Sequence, residues 1–517
     1  MRRVLVVIIA IVLAVVLVLV TLSLLRPGAP PEGPVALTFV VDVPAETPPE
    51  DGVFLELEGV AFAMNRSAPD RWTITRTFDL GETVPYRYNR NGLGYVSAEA
   101  FTPDSPQTWR TLTTTPALTT QQDVVERWRW IPDPPLSGFD LRAPPSSFPA
   151  RSDGGPFLTG VDLLDFYRPE FDPLVDSTMQ RVRDLEARWV HLVIIYAVVE
   201  ANPPRLGDAG ITMSEEAFRA HVTEARTLGL NVSVTIATEE SFFPAVRTEI
   251  SASLSQAWFD VYFAELDGVY QQWFPVLSEL GVEMVFVPGS GLYPESPTLA
   301  PYVDGKLRDQ VAFIRSNYAG LLTSDWVMGP PFTFYADLDF VGTKWDSLVN
   351  PAYATSDDYA VWLDFWAEEE LDALFREYGK PVIVGVSWAS YEGAAQLRYG
   401  GDDPEISEYE PFTGAVPRDL QLQADLFGAT LEVLAKRPWI KGTFLFGYRY
   451  WTSVDLSPGV RGKPAEDLFR QWYGALNRPG AGGSVPSFQD VTFTARVPAN
   501  TPPADQVYWV RTTFFEP

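Results

Sequence analysis

The sequence predicts a multidomain protein made of an N-terminal transmembrane helix, an all-β sandwich, an α/β domain of the (β/α)8 TIM-barrel class and a partial second β-sandwich repeat. Three observations support this prediction: an apolar run at the N-terminus, a β-rich segment between two proline-rich stretches, and alternating strand-like and helix-like segments over residues 157–477. A chain of 517 residues is also longer than one hydrophobic core usually organises.

The N-terminus predicts membrane attachment. Arg2 and Arg3 precede an apolar run from Val4 to Leu25, and about 20 apolar residues suffice to cross a bilayer. A cleaved signal peptide is the alternative, but no small-residue cleavage site follows the run. We therefore expect a signal anchor at 1–26 and a linker at 27–35. The two arginines would keep the N-terminus in the cytoplasm, which predicts a single-pass protein of the cell membrane with extracellular domains.

The next segment, residues 36–130, reads as a β-sandwich. Short β-rich runs separated by turn residues occur at 37–41, 53–57, 72–75 and 85–89, without a helical stripe between them. A proline-rich linker is expected at 131–156. About 95 residues of this kind are typical of a sandwich.

Residues 157–477 alternate between strands and helices. Apolar strand-like runs lie at 157–164, 190–199, 230–237, 283–287, 320–327, 338–343, 381–388 and 440–448. Amphipathic segments of helical length lie at 173–188, 214–228, 258–280, 304–318, 359–378 and 418–436. This order predicts a TIM barrel. A doubly wound open sheet is the alternative, but it rarely needs eight such repeats and a closing helix, here at 465–475.

The C-terminal tail repeats the opening of the sandwich. Both 38–53 and 492–507 contain Thr-Phe, then Val-Pro-Ala, then Thr-Pro-Pro at a constant offset. We therefore expect a linker at 478–490 and a truncated second sandwich repeat at 491–517.

Composition limits the chemistry. The net charge of −28 repels phosphate backbones, so we expect no nucleic-acid partner. There is no cysteine, which excludes a thiol nucleophile and a zinc–thiolate site. The two histidines, His191 and His221, are too few for a multi-histidine metal site. We expect no metal and no cofactor, and any acid–base chemistry would rest on carboxylates.

The sandwich segment resembles carbohydrate-binding module family 20, the starch-binding modules. The resemblance rests on the order of an opening Phe-x-Val strand, Tyr86-x-Tyr88, Glu99, Arg110 and a closing Val124-x-x-x-Trp128. It implies stacking of sugar rings on exposed aromatic side chains. One family tryptophan is replaced by Ala98. The remaining candidates for this binding are Trp72, Tyr95 and Trp109, for which core or edge packing is the simpler interpretation.

The barrel segment resembles the clan of retaining glycosidases that includes glycoside hydrolase family 113, the β-mannanase-like barrels. The resemblance rests on the order and spacing of several short motifs. They are Trp258-Phe259-x-x-Tyr262, Gly289-Ser290-Gly291-Leu292, Lys380-Pro381-Val382-Ile383-Val384, Gly462-Lys463-Pro464-Ala465-Glu466 and Trp472.

The resemblance implies two catalytic glutamates, and the matching positions lack both. In this clan an acid and a nucleophile come from the carboxyl ends of strands 4 and 7, about 5 Å apart. Gly291 stands at the position of the acid, and Val386 stands at that of the nucleophile. If the pair were relocated, the candidates would be Glu200, Glu239, Glu240 and Glu392.

Aromatic and acidic residues at predicted strand ends suggest a sugar-binding cleft. The candidates are Tyr196, Trp345, Trp388, Tyr448, Trp451, Asp162 and Asp346.

Three functions follow from these features. The first is a cell-surface carbohydrate-binding pseudoenzyme that keeps the cleft without the catalytic pair. The second is an active retaining glycoside hydrolase with relocated carboxylates. The third is a surface scaffold that binds a protein partner. The missing glutamates favour the first, with an oligo- or polysaccharide as partner. The sequence sets neither the glycan nor the oligomeric state.

Overall fold

The computed structural model describes most of the two central segments of the chain. The described residues are 33–102, 105–106, 109–132, 136–163, 167–208, 210, 212–239, 244–288, 296, 298–325, 332–345, 349, 355–396, 416–478 and 482–483. Within these ranges no helix is long and apolar enough to cross a membrane. This finding corrects the prediction of a single-pass membrane protein, which we do not retain. The predicted anchor at 1–26 and the predicted repeat at 491–517 lie outside the described residues.

Residues 35–124 form two four-stranded sheets and a short hairpin. The strands are β1 Val35–Asp42, β2 Val53–Leu57, β3 Val60–Ala63, β4 Asn65–Ala68, β5 Arg71–Phe78, β6 Thr83–Arg90, β7 Ala100–Thr102, β8 Ser105–Pro106, β9 Arg110–Thr113 and β10 Thr120–Val124. One sheet has the order β10-β1-β5-β4 and the other β3-β2-β6-β9. In β1, Leu37, Phe39 and Val41 are fully buried while their neighbours are not, so one face of the strand enters the core between the sheets.

The second domain is a closed barrel of eight parallel strands. The strands from here on are β11 Phe148–Pro149, β12 Leu158–Asp162, β13 Trp189–Ala201, β14 Pro204–Gly207, β15 Asn231–Glu239, β16 Met284–Val287, β17 Leu321–Ser324, β18 Val341–Trp345, β19 Val382–Val386, β20 Ile440–Phe446 and β21 Gly482–Gly483. The order is β17-β16-β15-β13-β12-β20-β19-β18, and a bridge between Thr323 and Phe340 joins the two ends. This closure confirms the predicted barrel and excludes the open doubly wound sheet.

Helices surround the barrel. They are α1 Val175–Asp184, α2 Glu215–Thr227, α3 Pro244–Ser253, α4 Gln256–Leu280, α5 Ala300–Asn317, α6 Ser356–Glu369, α7 Leu371–Tyr378, α8 Leu420–Ala435 and α9 Pro464–Leu476. Side-chain caps fix several starts: Ser214 accepts from the backbone N–H of Ala217 at α2, and Ser255 accepts from that of Trp258 at α4. The α4 helix ends at Gly281, whose φ of 65° suits glycine.

Each barrel strand has one face toward the lumen and one toward the helices. The lumen holds a buried cluster made of Leu158, Trp189, Met284, Phe286, Phe340, Ile383 and Phe444. The space is tight: a Cβ atom at Gly160 would lie 2.3 Å from the ring of Phe444. The opposite faces of the strands belong to the larger cluster shared with the helices, for example Val190, Leu192 and Ile194 of β13.

Candidate functional site

The carboxyl ends of the eight strands meet at one face of the barrel, where barrel enzymes build their sites. Because side chains alternate along a strand, membership of the lumen cluster identifies which terminal residues point inward. By this alternation, the inward positions at the mouth include Asp162 of β12, Glu239 of β15, Asp325 just after β17, Lys344 of β18, Gly385 of β19, Ser387 just after β19, and Phe446 of β20. Sequence reasoning missed Asp325, Lys344, Gly385, Ser387 and Phe446, although alternation counted from Ile383 and Phe444 could have found the last three.

A neutral histidine lies below the mouth. His191 Nδ1 is 3.0 Å from the hydroxyl of Ser233, and its Nε2 is 3.0 Å from that of Thr235. Its ring packs on Phe286, with 4.3 Å between the centroids. Complete burial lowers the pKa of His191 to about 3, so the ring stays neutral near pH 7. In the backbone register, Asp162 of β12 lies beside His191 of β13 and beside Phe446 of β20.

A lysine of β18 and a phenylalanine of β20 are in contact at the mouth. The ammonium of Lys344 lies 4.6 Å from the centre of the Phe446 ring, which is within the range of a cation–π contact. The mouth thus combines carboxylates, a hydroxyl group, an ammonium group and one ring.

The position matched to the nucleophile faces away from the mouth. Val386 is fully buried in the cluster between the strands and the helices. The inward positions beside it are Gly385 and Ser387, and neither carries a carboxylate. At the end of β19, therefore, neither the outward-facing residue nor the two inward-facing residues carry a carboxylate nucleophile. Gly291, at the position matched to the acid, lies outside the described residues.

The relocated-pair candidates are not all brought to the mouth. The carboxylate of Glu200 is 55% exposed and pairs with Arg205 at 2.6 Å, on the hairpin of β13 and β14. Glu239 is half-buried at the inward end of β15. Glu392 lies on the connection after β19, where its backbone N–H donates to the carbonyl of Pro417 at 2.9 Å. Glu240 lies outside the described residues.

The predicted aromatic cleft is not present among the described residues. Trp345, Trp388, Tyr448 and Trp451 are buried to within 3% exposure in the cluster shared by strands and helices. Tyr196 packs against the same cluster, and its hydroxyl accepts a hydrogen bond from Trp273 Nε1 at 3.0 Å. Trp345 faces the helices by strand alternation, and Trp388, Tyr448 and Trp451 lie beyond the ends of β19 and β20. Because these rings are buried, a sugar cannot stack on them without unpacking the core. Asp346 lies outside the described residues.

Polar partners hold Trp388 and Tyr448 in the core. Trp388 Nε1 donates to the hydroxyl of Thr430 in α8 at 2.9 Å. The Tyr448 hydroxyl donates to Glu466 in α9 at 2.6 Å, and burial raises the Tyr448 pKa well above its usual value. These contacts join the barrel strands to the outer helices.

The three sandwich candidates differ in exposure. Trp72 is buried in the core between the sheets. Tyr95 is half-buried, with the guanidinium of Arg129 lying 4.1 Å from its ring centre. Trp109 is 38% exposed, with Arg87 lying 4.5 Å from its ring centre. Of the three, Trp109 offers the largest accessible ring.

The residues that carry the starch-binding-module resemblance form an internal polar network. Arg110 Nη2 donates to Glu99 at 2.6 Å, and Arg110 Nη1 donates to Asp123 at 3.1 Å. The hydroxyls of Tyr86 and Tyr88 donate to the same Asp123 at 3.1 and 2.8 Å. Burial and the neighbouring Asp123 raise the pKa values of both tyrosines. These residues therefore stabilise the sandwich and do not form a binding surface.

Comparison with known proteins adds a likeness in fold. No family model matches the chain, and no curated protein matches it. A solved GH113 β-1,4-mannanase complex is similar, with a TM-score of 0.48 and 18% identity, covering 62% of this chain and 99% of that chain. The GH113 β-mannanase of Alicyclobacillus acidocaldarius in complex with ManMIm has a TM-score of 0.45 and 19% identity, covering 62% and 98%. The endo-1,4-β-mannanase of Rhizomucor miehei has a TM-score of 0.38 and 13% identity, covering 64% and 98%.

The closed eight-stranded sheet, and not these similarities, establishes the barrel fold. The likeness of residues 36–130 to a starch-binding module is not shown by any of them.

Proposed function

We propose that this chain binds an oligo- or polysaccharide in the mouth of a glycoside-hydrolase-like barrel and does not hydrolyse it. The observation that carries the proposal is the end of β19, where the inward positions are Gly385 and Ser387. A retaining glycosidase needs a carboxylate there to attack the anomeric carbon. Uniform binding without such a group does not accelerate the chemical step.

The mouth has the chemistry that a sugar requires. The half-buried carboxylate of Glu239 accepts hydrogen bonds from sugar hydroxyls, and the half-buried ammonium of Lys344 donates to them. The ring of Phe446 offers an apolar face for sugar C–H groups. The proposed platform is therefore one ring with several polar groups, in place of the five aromatic residues that the sequence suggested.

Glu239 favours a second candidate function. It is the one relocated-pair candidate that the described structure places at an inward strand end. If a further carboxylate faced it across the mouth, the chain would be an active retaining glycoside hydrolase. The same experiment distinguishes the two functions.

The test is calorimetric titration with oligosaccharides of α-glucan, β-mannan, β-glucan and xylan, with reducing-end release measured on the same samples. We expect binding to at least one class, and Glu239→Gln should weaken it about tenfold by replacing a charged acceptor. The matched control is Glu279→Gln. Glu279 lies at the C-terminal end of α4, at the opposite face of the barrel, and should not affect binding. Binding to none of the four classes would overturn the proposal and favour a protein-binding scaffold.

The division of the chain is part of the same proposal. We place the carbohydrate-binding-module-like sandwich at 36–130, the barrel at 157–477 and connecting segments at 131–156 and 478–490. A glycan contact on the sandwich would use the exposed ring of Trp109.

A further inference from the structure

We propose that the sandwich and the barrel form one rigid unit, in which the sandwich holds the connection between β20 and α9 in place. This connection, residues 447–463, is called here the strand-8 loop. It leaves the carboxyl end of β20, so it borders the barrel mouth. The proposal does not depend on whether the mouth binds a sugar.

Buried charges join the two domains. Arg90, at the end of β6, is fully buried and pairs with Asp51, while its Nη2 donates to the carbonyl of Thr452 in the strand-8 loop at 3.1 Å. Glu50 accepts from Arg461 of the same loop at 3.3 Å and lies 3.8 Å from Arg181 of α1. Both acids lie on the connection between β1 and β2. Buried charges are costly without partners, so separating the domains would expose or orphan these groups.

The strand-8 loop depends on the same arginine that Glu50 contacts. Arg461 is 1% exposed, and its Nη1 donates to the carbonyls of Tyr450 at 2.7 Å and Arg449 at 3.1 Å, and to the hydroxyl of Thr178 at 3.0 Å. Arg461 therefore connects two parts of the loop to α1. Glu50 of the sandwich supplies the carboxylate that pairs with this arginine.

Apolar and backbone contacts reinforce the charges. Leu93 and Val96 of the sandwich belong to the cluster shared by the barrel strands and helices. Trp130 packs with Tyr391, Ala394, Val416 and Leu456 of the barrel. Its carbonyl accepts a hydrogen bond from the backbone N–H of Val454 in the strand-8 loop at 2.9 Å.

The connecting segment is also fastened to the barrel. Residues 136–151, called here the strap, run alongside helix α8. Near the start of the helix, the backbone N–H of Asp140 donates to the side chain of Gln421 at 3.0 Å, and Gln421 donates back to the carbonyl of Asp140 at 2.7 Å. Trp472 Nε1 of α9 donates to the carbonyl of Arg142 at 2.8 Å. At the end of the helix, Arg151 donates to the carbonyl of Ala435 at 3.0 Å. A segment held at both ends of a helix is not a flexible linker.

The test is differential scanning calorimetry of the full chain and of its Glu50→Gln variant, which loses the charge opposite Arg461 but keeps an acceptor. We expect a single transition that Glu50→Gln lowers by about 3–5 °C, as follows from losing one partner of a buried ion pair in a cooperative unit of this size. Amide exchange below the transition should become faster in residues 447–463. The matched control is Asp42→Asn, which removes the exposed pair with Arg71 on the sandwich and should change the transition temperature by less than about 1 °C.

Two resolved transitions, of which Glu50→Gln moves only one, would overturn the proposal. So would an unchanged transition temperature with unchanged exchange in the strand-8 loop, or an equal shift in Asp42→Asn.

Discussion

At the scale of single residues, the position of a residue in a sequence motif does not determine which way its side chain points. The order of motifs matches Val386 to the position where related barrels carry a nucleophile, whereas the strand places that side chain among the buried contacts with the helices. The motif residues of the sandwich behave in the same way, since Glu99 and Arg110 form an internal ion pair. A motif can thus predict the fold correctly while its residues have a structural role.

Restoring a carboxylate at position 386 should therefore damage the barrel without creating a nucleophile. Val386→Glu would bury a charged group in an apolar cluster, which should lower the free energy of unfolding by about 3–5 kcal/mol. Val386→Ile should cost less than about 1.5 kcal/mol. Denaturant unfolding of both variants measures the difference. A stable Val386→Glu protein would show that the side chain reaches solvent, contrary to the structure.

His191 should make stability depend on pH. The folded state keeps it neutral because burial lowers its pKa to about 3, whereas the unfolded chain has the usual value of 6.5. Below pH 6.5 the unfolded state therefore binds more protons, so stability falls as the pH falls through the window from 6.5 to about 3. From pH 7 to pH 5 this loss should be about 2 kcal/mol. His191→Gln should reduce the slope of unfolding free energy against pH in this window, and an unchanged slope would contradict the neutral buried ring.

At the scale of elements, the sequence predicts the barrel strands well because each is a short apolar run bounded by polar residues. The prediction at 190–199 corresponds to β13, and the prediction at 440–448 corresponds to β20. The inward and outward faces were harder to predict, since both faces of a parallel strand are buried and apolar. Five aromatic residues were therefore read as a cleft, although they pack against helices.

The strap shows another limit of the sequence. Residues 131–156 are rich in proline and predict a linker, but within the strap, residues 136–151, Arg151 donates hydrogen bonds to backbone carbonyls of distant elements. Arg151 Nη1 donates to the carbonyl of Arg437 at 2.9 Å, and its Nη2 donates to that of Ala435 at 3.0 Å. A pattern of residue types cannot reveal such partners, because any backbone carbonyl can accept.

Removing the guanidinium group of Arg151 should destabilise the C-terminal end of α8. Arg151→Gln leaves several buried carbonyls without a donor, which should lower the free energy of unfolding by about 2–4 kcal/mol. Arg470→Gln, which removes an exposed pair with Asp467, should cost no more than about 1 kcal/mol. Chemical denaturation of the two variants tests this. Equal effects would show that the strap contributes little.

At the scale of the whole molecule, composition and segment order were enough for the two central domains. Their mutual placement was not predictable, because it rests on Arg90, Glu50 and Arg461, which are far apart in the sequence. The predicted membrane helix was corrected by the absence of a membrane-spanning helix in the described ranges. The proposed function depends on the barrel mouth, where the inward positions at the end of β19, Gly385 and Ser387, carry no carboxylate.

The most direct measurement of this claim is the turnover number for whichever glycan binds most tightly, obtained from reducing-end release at saturating substrate. Glycosidic bonds need an acid and a nucleophile for efficient cleavage, and the inward positions at the end of β19 supply no carboxylate. We predict tight binding with a turnover number far below the usual enzyme range of about 1 s⁻¹ or more. Turnover within that range, abolished by Glu239→Gln and retained in Glu279→Gln, would contradict it and establish a relocated catalytic pair.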